Sequence, residues 1–440
     1  MKRIAVACLA LTLLAGGAVA QDASLPAPSR ARPAENTDEG GLWGASDRAE
    51  ISARASGTIE HDPELTAYVR GVACRVAAQY CGDVRVYVMN RPFFNASMAP
   101  NGYMDGEAVV SFFDTYAARI DAPVQEETAV RSVTRRGDRF EVTTDRGRWV
   151  ADAVVIATGA NSLPRVPAFA SRLPPDVLQI TPTTYKRPEL LPAGNVLVVG
   201  ASASGVQLAA EIRASGRGVT LAVGRHARLP RGYRGADIIT WMEGTGILRE
   251  RAADVRNLDA ARGNPSLQLA GSAMPQDLDL NVLQARGVRL AGRLVDADRA
   301  RLTFAEDLHD RVAEAERRLD KLLSRIDAVA DAEGAPAARR PKPVHLPVTP
   351  NAADVRADGI ETVVWATGFT RSYPWLQVPV VGARTGDIRQ RDGVTPVPGL
   401  YTVGMRFQRT RKSNWIDGVG DDARCVAEHV AMRAGARLAA

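Results

Sequence analysis

Short continuous apolar runs alternate with 3.6-residue stripes over much of the chain, a pattern that predicts a parallel sheet covered by helices. Asn195 to Val199 is such a run and predicts a buried strand. Val206 to Ser215 follows helical spacing, with Val206, Ala209 and Ala210 on one face and Gly216 closing it, and Val219 to Val223 is the next strand. Upstream, Asp105 to Ile120 predicts a helix whose apolar side is Val109, Phe112, Phe113 and Tyr116. Ala129 to Val133, Phe140 to Thr144 and Trp149 to Val155 read as strands, separated by turns at Arg136-Gly-Asp138 and Asp145-Arg-Gly147. Downstream, Ala236 to Met242 and Leu278 to Ala285 read as helices and Val288 to Leu294 as a strand. Leu308, Val312, Ala315, Leu319, Leu322, Ile326 and Val329 form a long helical stripe, which serves packing.

The turn between the first strand and helix is Gly200-Ala-Ser-Ala-Ser-Gly205. Gly200 permits a tight exit from the strand. Ser202 stands where a second glycine is usual, small enough to let a phosphate approach, and Ser204 lies one residue before Gly205, which lets the helix pack against the sheet. The helix start then offers unpaired N–H groups and a positive dipole end to a diphosphate. The second strand ends in Gly224-Arg225-His226-Ala227-Arg228 rather than in a carboxylate. Arg225 and Arg228 at that position suit the 2′-phosphate of NADP.

Composition narrows this picture only a little. The 440 residues suffice for two or three domains, and 45% hydrophobic with 24% charged is ordinary for globular protein. The net charge of +6 comes almost wholly from arginine without a long basic run, so nucleic-acid binding is not expected. Met1 to Ala20 has the charged start, apolar middle and small-residue end of an export signal, and Gln21 to Gly44 has linker composition. No later run approaches the ~20 apolar residues of a membrane span. The expected location is therefore exported if the signal is used, although the nucleotide-binding part alone reads as cytoplasmic. Ser46 to Ala55 and Asp62 to Tyr80 predict helices, and Val84 to Met89 a strand. Cys74 and Cys81 lie close enough to form a small disulfide in an exported chain.

Asp62 to Arg70, Val84 to Val88 and Asn95 to Tyr103 together are similar to the front of secreted zinc metalloproteases. That family continues with a His-Glu-x-x-His helix. Here the histidines stand at 61, 226, 309, 345 and 429, none four apart, so zinc proteolysis is excluded and no metal is expected.

Residues 103 to about 430 resemble the flavin-containing monooxygenases and related NAD(P)/FAD oxidoreductases. The resemblance rests on Val154-Val-Ile-Ala-Thr-Gly159, Gly200 to Gly205, Val364-Trp-Ala-Thr-Gly368 and Pro398-Gly-Leu-Tyr-Thr-Val-Gly404, in that order. It implies that Gly200, Ser202, Gly205 and Arg225 serve NADP. It places Thr158, Gly159, Gly404 and Asp417 on the flavin side, with Val130 a backbone contact to adenine. The implied chemistry is hydride transfer from NADPH to FAD, then oxygen transfer to a small organic substrate. Two departures stand out. The family's Phe-x-Gly-x-x-x-His linker is replaced by Gln179 to Tyr185. No strand with Gly-x-Gly-x-x-Gly occurs in residues 1–102, so the first βαβ unit of the FAD domain is expected to be missing.

The sequence thus predicts an α/β, two-dinucleotide-binding-domain (Rossmann-like) flavoprotein with an incomplete FAD domain and an unrelated small α+β prefix. The expected divisions are a signal at 1–20, a linker at 21–44 and a protease-like prefix at 45–102. The FAD-domain remainder occupies 103–160 and 366–440, and the NADP-binding domain 161–365, with a helical segment at 306–333. The prefix implies a junction of two gene fragments near residue 103. The leading function is an NADPH- and FAD-dependent monooxygenase-like oxidoreductase. The alternatives are an NADP-binding module without turnover and an exported protease-related protein. Exposed apolar edges are expected at Val154 to Ala157 and Tyr401 to Val403, where the missing unit would pack.

Overall fold

The computed structural model describes residues 106–269, 276–346, 351–383 and 385–438, with Pro63, Thr66, Ala67, Arg70, Gly71 and Cys74. Those six positions are helical, and Cys74 is disulfide-bonded. The export signal, the linker, Cys81 and most of the 45–102 prefix lie outside the described residues.

Helix α1 (Gly106–Arg119) leads into an antiparallel meander of β1 (Val130–Arg136), β2 (Arg139–Thr144) and β3 (Arg148–Ala151). Then come β4 (Val154–Ile156), β5 (Leu163–Pro164), β6 (Leu178–Ile180), β7 (Asn195–Val199), α2 (Ala203–Ala214) and β8 (Val219–Ala222). A loop excursion carries β9 (Gly232–Tyr233), β10 (Ala236–Asp237), α3 (Ile238–Gly244) and α4 (Leu258–Arg262). It is followed by α5 (Leu280–Ala285), β11 (Arg289–Ala291), β12 (Leu294–Asp298), β13 (Arg301–Phe304), α6 (Leu308–Ala332) and β14 (Ala352–Asp354). The chain closes with β15 (Ile360–Trp365), β16 (Phe369–Thr370), β17 (Leu400–Thr402) and α7 (Val419–Leu438).

The central sheet has the order β11-β8-β7-β15-β6 and is parallel throughout. Its strands are apolar on both faces because both faces are covered. Val196 and Val198 point to the side of α2 and α5, with Val206, Ile212, Leu221 and Leu283. Leu197 and Val199 point the other way, against Ala297, Leu302 and Phe304 of the β12–β13–β14 meander and Trp365. A second body of core joins the β1–β3 meander to the parallel pair β4–β17 through Val133, Phe140, Ile156, Tyr373, Val380 and Leu400.

Several expectations need correction. Trp149 to Val155 is two strands in two sheets: β3 pairs antiparallel with β2, while β4 turns away to pair parallel with β17. Val288 to Leu294 is also two strands, parting at Gly292, whose missing Cβ would strike the Ala305 carbonyl. The α6 stripe runs through Leu323 and Ala330 rather than Leu322 and Val329. Both registers satisfy helical spacing, and packing against Ile238, Trp241 and Leu248 selects the observed one. The helix at α1 forms as expected, but its apolar side is not buried: Phe113 is 43% and Tyr116 41% exposed. Val155 on β4 is likewise 44% exposed, whereas Leu400, Tyr401 and Thr402 on β17 are buried. An antiparallel bridge from Val394 to Tyr401 helps cover β17.

Candidate nucleotide and flavin sites

The carboxyl end of β7 and the start of α2 form a cradle whose glycines are set by contact. Gly200 has φ +109°, and a Cβ there would overlap the Ala366 carbonyl at the end of β15. A Cβ on Gly205 would overlap the Gly200 carbonyl itself. The turn is therefore folded back on its own helix, and no larger residue fits. Ser202 caps α2 with extended backbone and no side-chain hydrogen bond to the helix, and both Ser202 and Ser204 remain half-exposed. The helix start keeps its N–H groups for a ligand, so these residues fit a dinucleotide diphosphate.

A strap that the sequence reading missed crosses this cradle. Gln268 donates its backbone N–H to Ala227 O at 2.8 Å and its side-chain amide to Ala201 O at 2.6 Å. Gln207 of α2 donates to Leu269 O at 2.8 Å. The strap thus binds the glycine turn, the helix and the exit of β8 together. Gln268 is 1% exposed, and its Oε1 has no partner. Residues 264–269 carry no periodicity that would have marked them.

The two arginines beyond β8 part company. Arg225 is exposed and makes no ion pair among the described residues. Arg228 is 5% exposed and is consumed by the protein. Its Nε and Nη2 donate to Asp279 Oδ2 at 2.9 and 2.7 Å, its Nη2 also to Lys342 O at 2.7 Å, and its Nη1 to Glu316 at 2.5 Å. The expectation that Arg228 grips a 2′-phosphate is corrected on this ground: its fork already faces two carboxylates. His226 between them is buried, accepts no charge readily, and has its imidazole pKa pushed down by burial.

On the flavin side, Thr158 and Gly159 lie just past β4 and Gly404 just past β17. Val403 N donates to Ile156 O at 2.9 Å, so the two strand exits stay side by side. Gly159 and Gly404 both have positive φ, +70° and +79°, and Gly404 opens toward Val419 at the start of α7. Asp417 stands before that helix and is held by Lys412 Nζ at 3.4 Å, which also binds Glu243 of α3 at 2.6 Å. Val130 opens β1 in the separate meander and hydrogen-bonds to none of these four. These residues suit the ring end of a flavin. A second glycine cradle for its diphosphate is not found among the described residues.

Asp422, in the first turn of α7, is 1% exposed. Burial pushes its carboxyl up to about 6, against the pull of Ser413 and Arg409. A raised folded-state pKa means that the folded form holds the proton more tightly. Stability from this group is therefore present at low pH and lost as pH rises from about 4 to about 6. Asp422→Asn is expected to flatten the pH dependence of the unfolding midpoint in that window, measured by thermal melts across a pH series.

Comparison with known proteins follows the same geometry. A family model described as pyridine nucleotide-disulphide oxidoreductase matches residues 83–241. The chain is 31% identical over 326 residues to a CzcO-like oxidoreductase of Geobacillus kaustophilus, covering 74% of this chain and 77% of that protein. It is 23% identical over 331 residues to the oxidoreductase CzcO of Bacillus subtilis, covering 75% of this chain and 80% of that one. Among solved structures, a flavin-containing monooxygenase from Stenotrophomonas maltophilia superposes with a TM-score of 0.51 at 18% identity. That superposition spans 78% of this chain and 81% of the other, and it speaks to the fold. The family match opens at residue 83, inside the stretch read as a protease-like prefix. The protease resemblance and the junction near residue 103 find no support.

Proposed function

Since the chain belongs to the CzcO-like oxidoreductases, we propose that it takes hydride from NADPH by way of FAD and oxidises a small organic substrate by oxygen transfer. The observation that carries the NADPH half is the Gly205–Gly200 contact, which folds the turn into a diphosphate cradle at the start of α2. Gly200, Ser202, Ser204 and Gly205 would bind the diphosphate, and Arg225 the 2′-phosphate. Gln268 would set the spacing between those two halves, since its strap is bonded to both. Thr158, Gly159 and Gly404 would border the isoalloxazine. When bound, FAD supplies the acceptance of two electrons and their delivery to O₂; the protein's part is to orient both rings and exclude water.

Arg225→Ala is expected to weaken NADP⁺ binding by about tenfold to a hundredfold, a lost charge-assisted contact of roughly 1.5–3 kcal/mol, and to leave NAD⁺ binding unchanged. Calorimetric titration of both nucleotides checks it. Equal losses for the two would place the 2′-phosphate elsewhere.

A second reading is a module that binds NADPH without turning it over. Among the described residues β4 pairs with β17 alone and Val155 is exposed, which favours it, because that pair borders the flavin side. One purified sample separates the readings. A stoichiometric flavin spectrum with NADPH consumption and an oxygenated product supports the first. NADPH binding with neither flavin nor consumption supports the second.

A further inference from the structure

Beyond β17 the loop 406–412 carries four cations, and three of them are matched. Arg411 faces Glu250 and stacks on Phe407 with its guanidinium 4.9 Å from the ring centre. Lys412 binds Glu243 and Asp417. Arg409 lies 4.0 Å from Asp392 and donates to Asp421 O at 3.1 Å. Arg406 faces no carboxylate among the described residues. Its guanidinium makes one hydrogen bond there, from Nη2 to Asn264 O at 2.9 Å.

Two further arginines close around it. Arg262, in the last turn of α4, donates to the carbonyls of Arg406 and Phe407 at 3.1 and 3.2 Å. The hydroxyl of Tyr373 reaches Met405 Sδ at 3.9 Å, which packs the segment carrying Arg371 against the same residues. Arg371 is paired with Asp387, and Asp259 acts on Arg262. Arg406 is half-buried, and burial followed by the charge of Arg371 makes its cation costly. A partly desolvated guanidinium beside like charge, with Nε and Nη1 unused among the described residues, is stabilised by an incoming anion.

The location is the chemical argument for what that anion is. Arg406 follows Gly404 by two residues, and Arg371 follows Gly368 by three, so both stand at the carboxyl ends of their sheets. Ligands of open α/β sheets bind at those ends. We propose that Arg406 anchors the carboxylate of the substrate, so that the substrate class is an organic acid. The planar fork of arginine matches a carboxylate with two parallel hydrogen bonds. The proposal rests on the oxidoreductase reading for the word substrate, but not for the site.

The test is calorimetric titration of the full purified chain with benzoate, and with benzamide as its uncharged counterpart. Benzoate is expected to bind, several-fold more weakly at high salt, and benzamide is not. Arg406→Gln should lower benzoate affinity at least tenfold, and Arg406→Lys should restore most of it. Both variants should bind NADP⁺ within twofold of the unaltered chain, which also shows them folded. Absence of benzoate binding to the unaltered chain overturns the proposal, as does equal binding by Arg406→Gln. A parallel loss of NADP⁺ affinity overturns it too and gives the arginine to the nucleotide phosphates. Missing flavin or missing turnover would sink the functional reading while leaving these titrations as they stand.

Discussion

Gly205→Ala is expected to lower NADP⁺ affinity by about a hundredfold, equivalent to roughly 2.7 kcal/mol. The added methyl overlaps the Gly200 carbonyl, which is backbone and cannot rotate away. Either the turn or the first turn of α2 must move, and both hold the diphosphate. Overpacking of this kind also lowers stability, by about 1–3 kcal/mol. Gly216→Ala is the control. Gly216 has φ +91° with open space around it, so alanine strains the end of α2 at about 1–3 kcal/mol without reaching the cradle. Calorimetry on both variants decides the matter: if they lose NADP⁺ equally, the effect is general loosening and the cradle is not the binding site.

The second large effect is at Arg228. Arg228→Ala leaves Asp279 and Glu316 facing an empty, nearly dry site, and breaking such a buried pair costs about 3–5 kcal/mol. Asp279 also caps α5 by accepting from Val282 N at 3.0 Å, so the damage spreads to that helix. The expected outcome is a fall of many degrees in the thermal midpoint. NADP⁺ affinity below the transition should stay within about twofold. A large loss of affinity with little loss of stability would return Arg228 to the nucleotide.

The difference between Arg225 and Arg228 shows where sequence reasoning stops. Both follow the same strand, and both are cations of the right kind. What separates them is Asp279, 51 residues on, and Glu316, 88 residues on, and no local pattern announces those partners. β7 and β8 were legible because a strand covered on both faces must be apolar at every position. The β12–β14 meander was not, since its strands are three to five residues long and only β13 alternates cleanly in burial. Gly200 and Gly205 were legible as a turn, yet their mutual contact is a three-dimensional fact. The apolar side of α1 was legible as a pattern, but its cover was not, because amphipathicity says only that a partner is wanted.

The long helix α6 is set into the chain between two neighbours of one hairpin. Thr303 of β13 pairs with Ala352 of β14, so the excursion leaves and re-enters the meander at adjoining points. An ancestral chain could gain or shed the whole segment there while every strand kept its register. What it could not shed is the segment's two debts to the rest of the domain: Glu316 holds Arg228, and Leu319, Leu323 and Ile326 roof Trp241. A version trimmed back to a tight turn would have to supply both in another way.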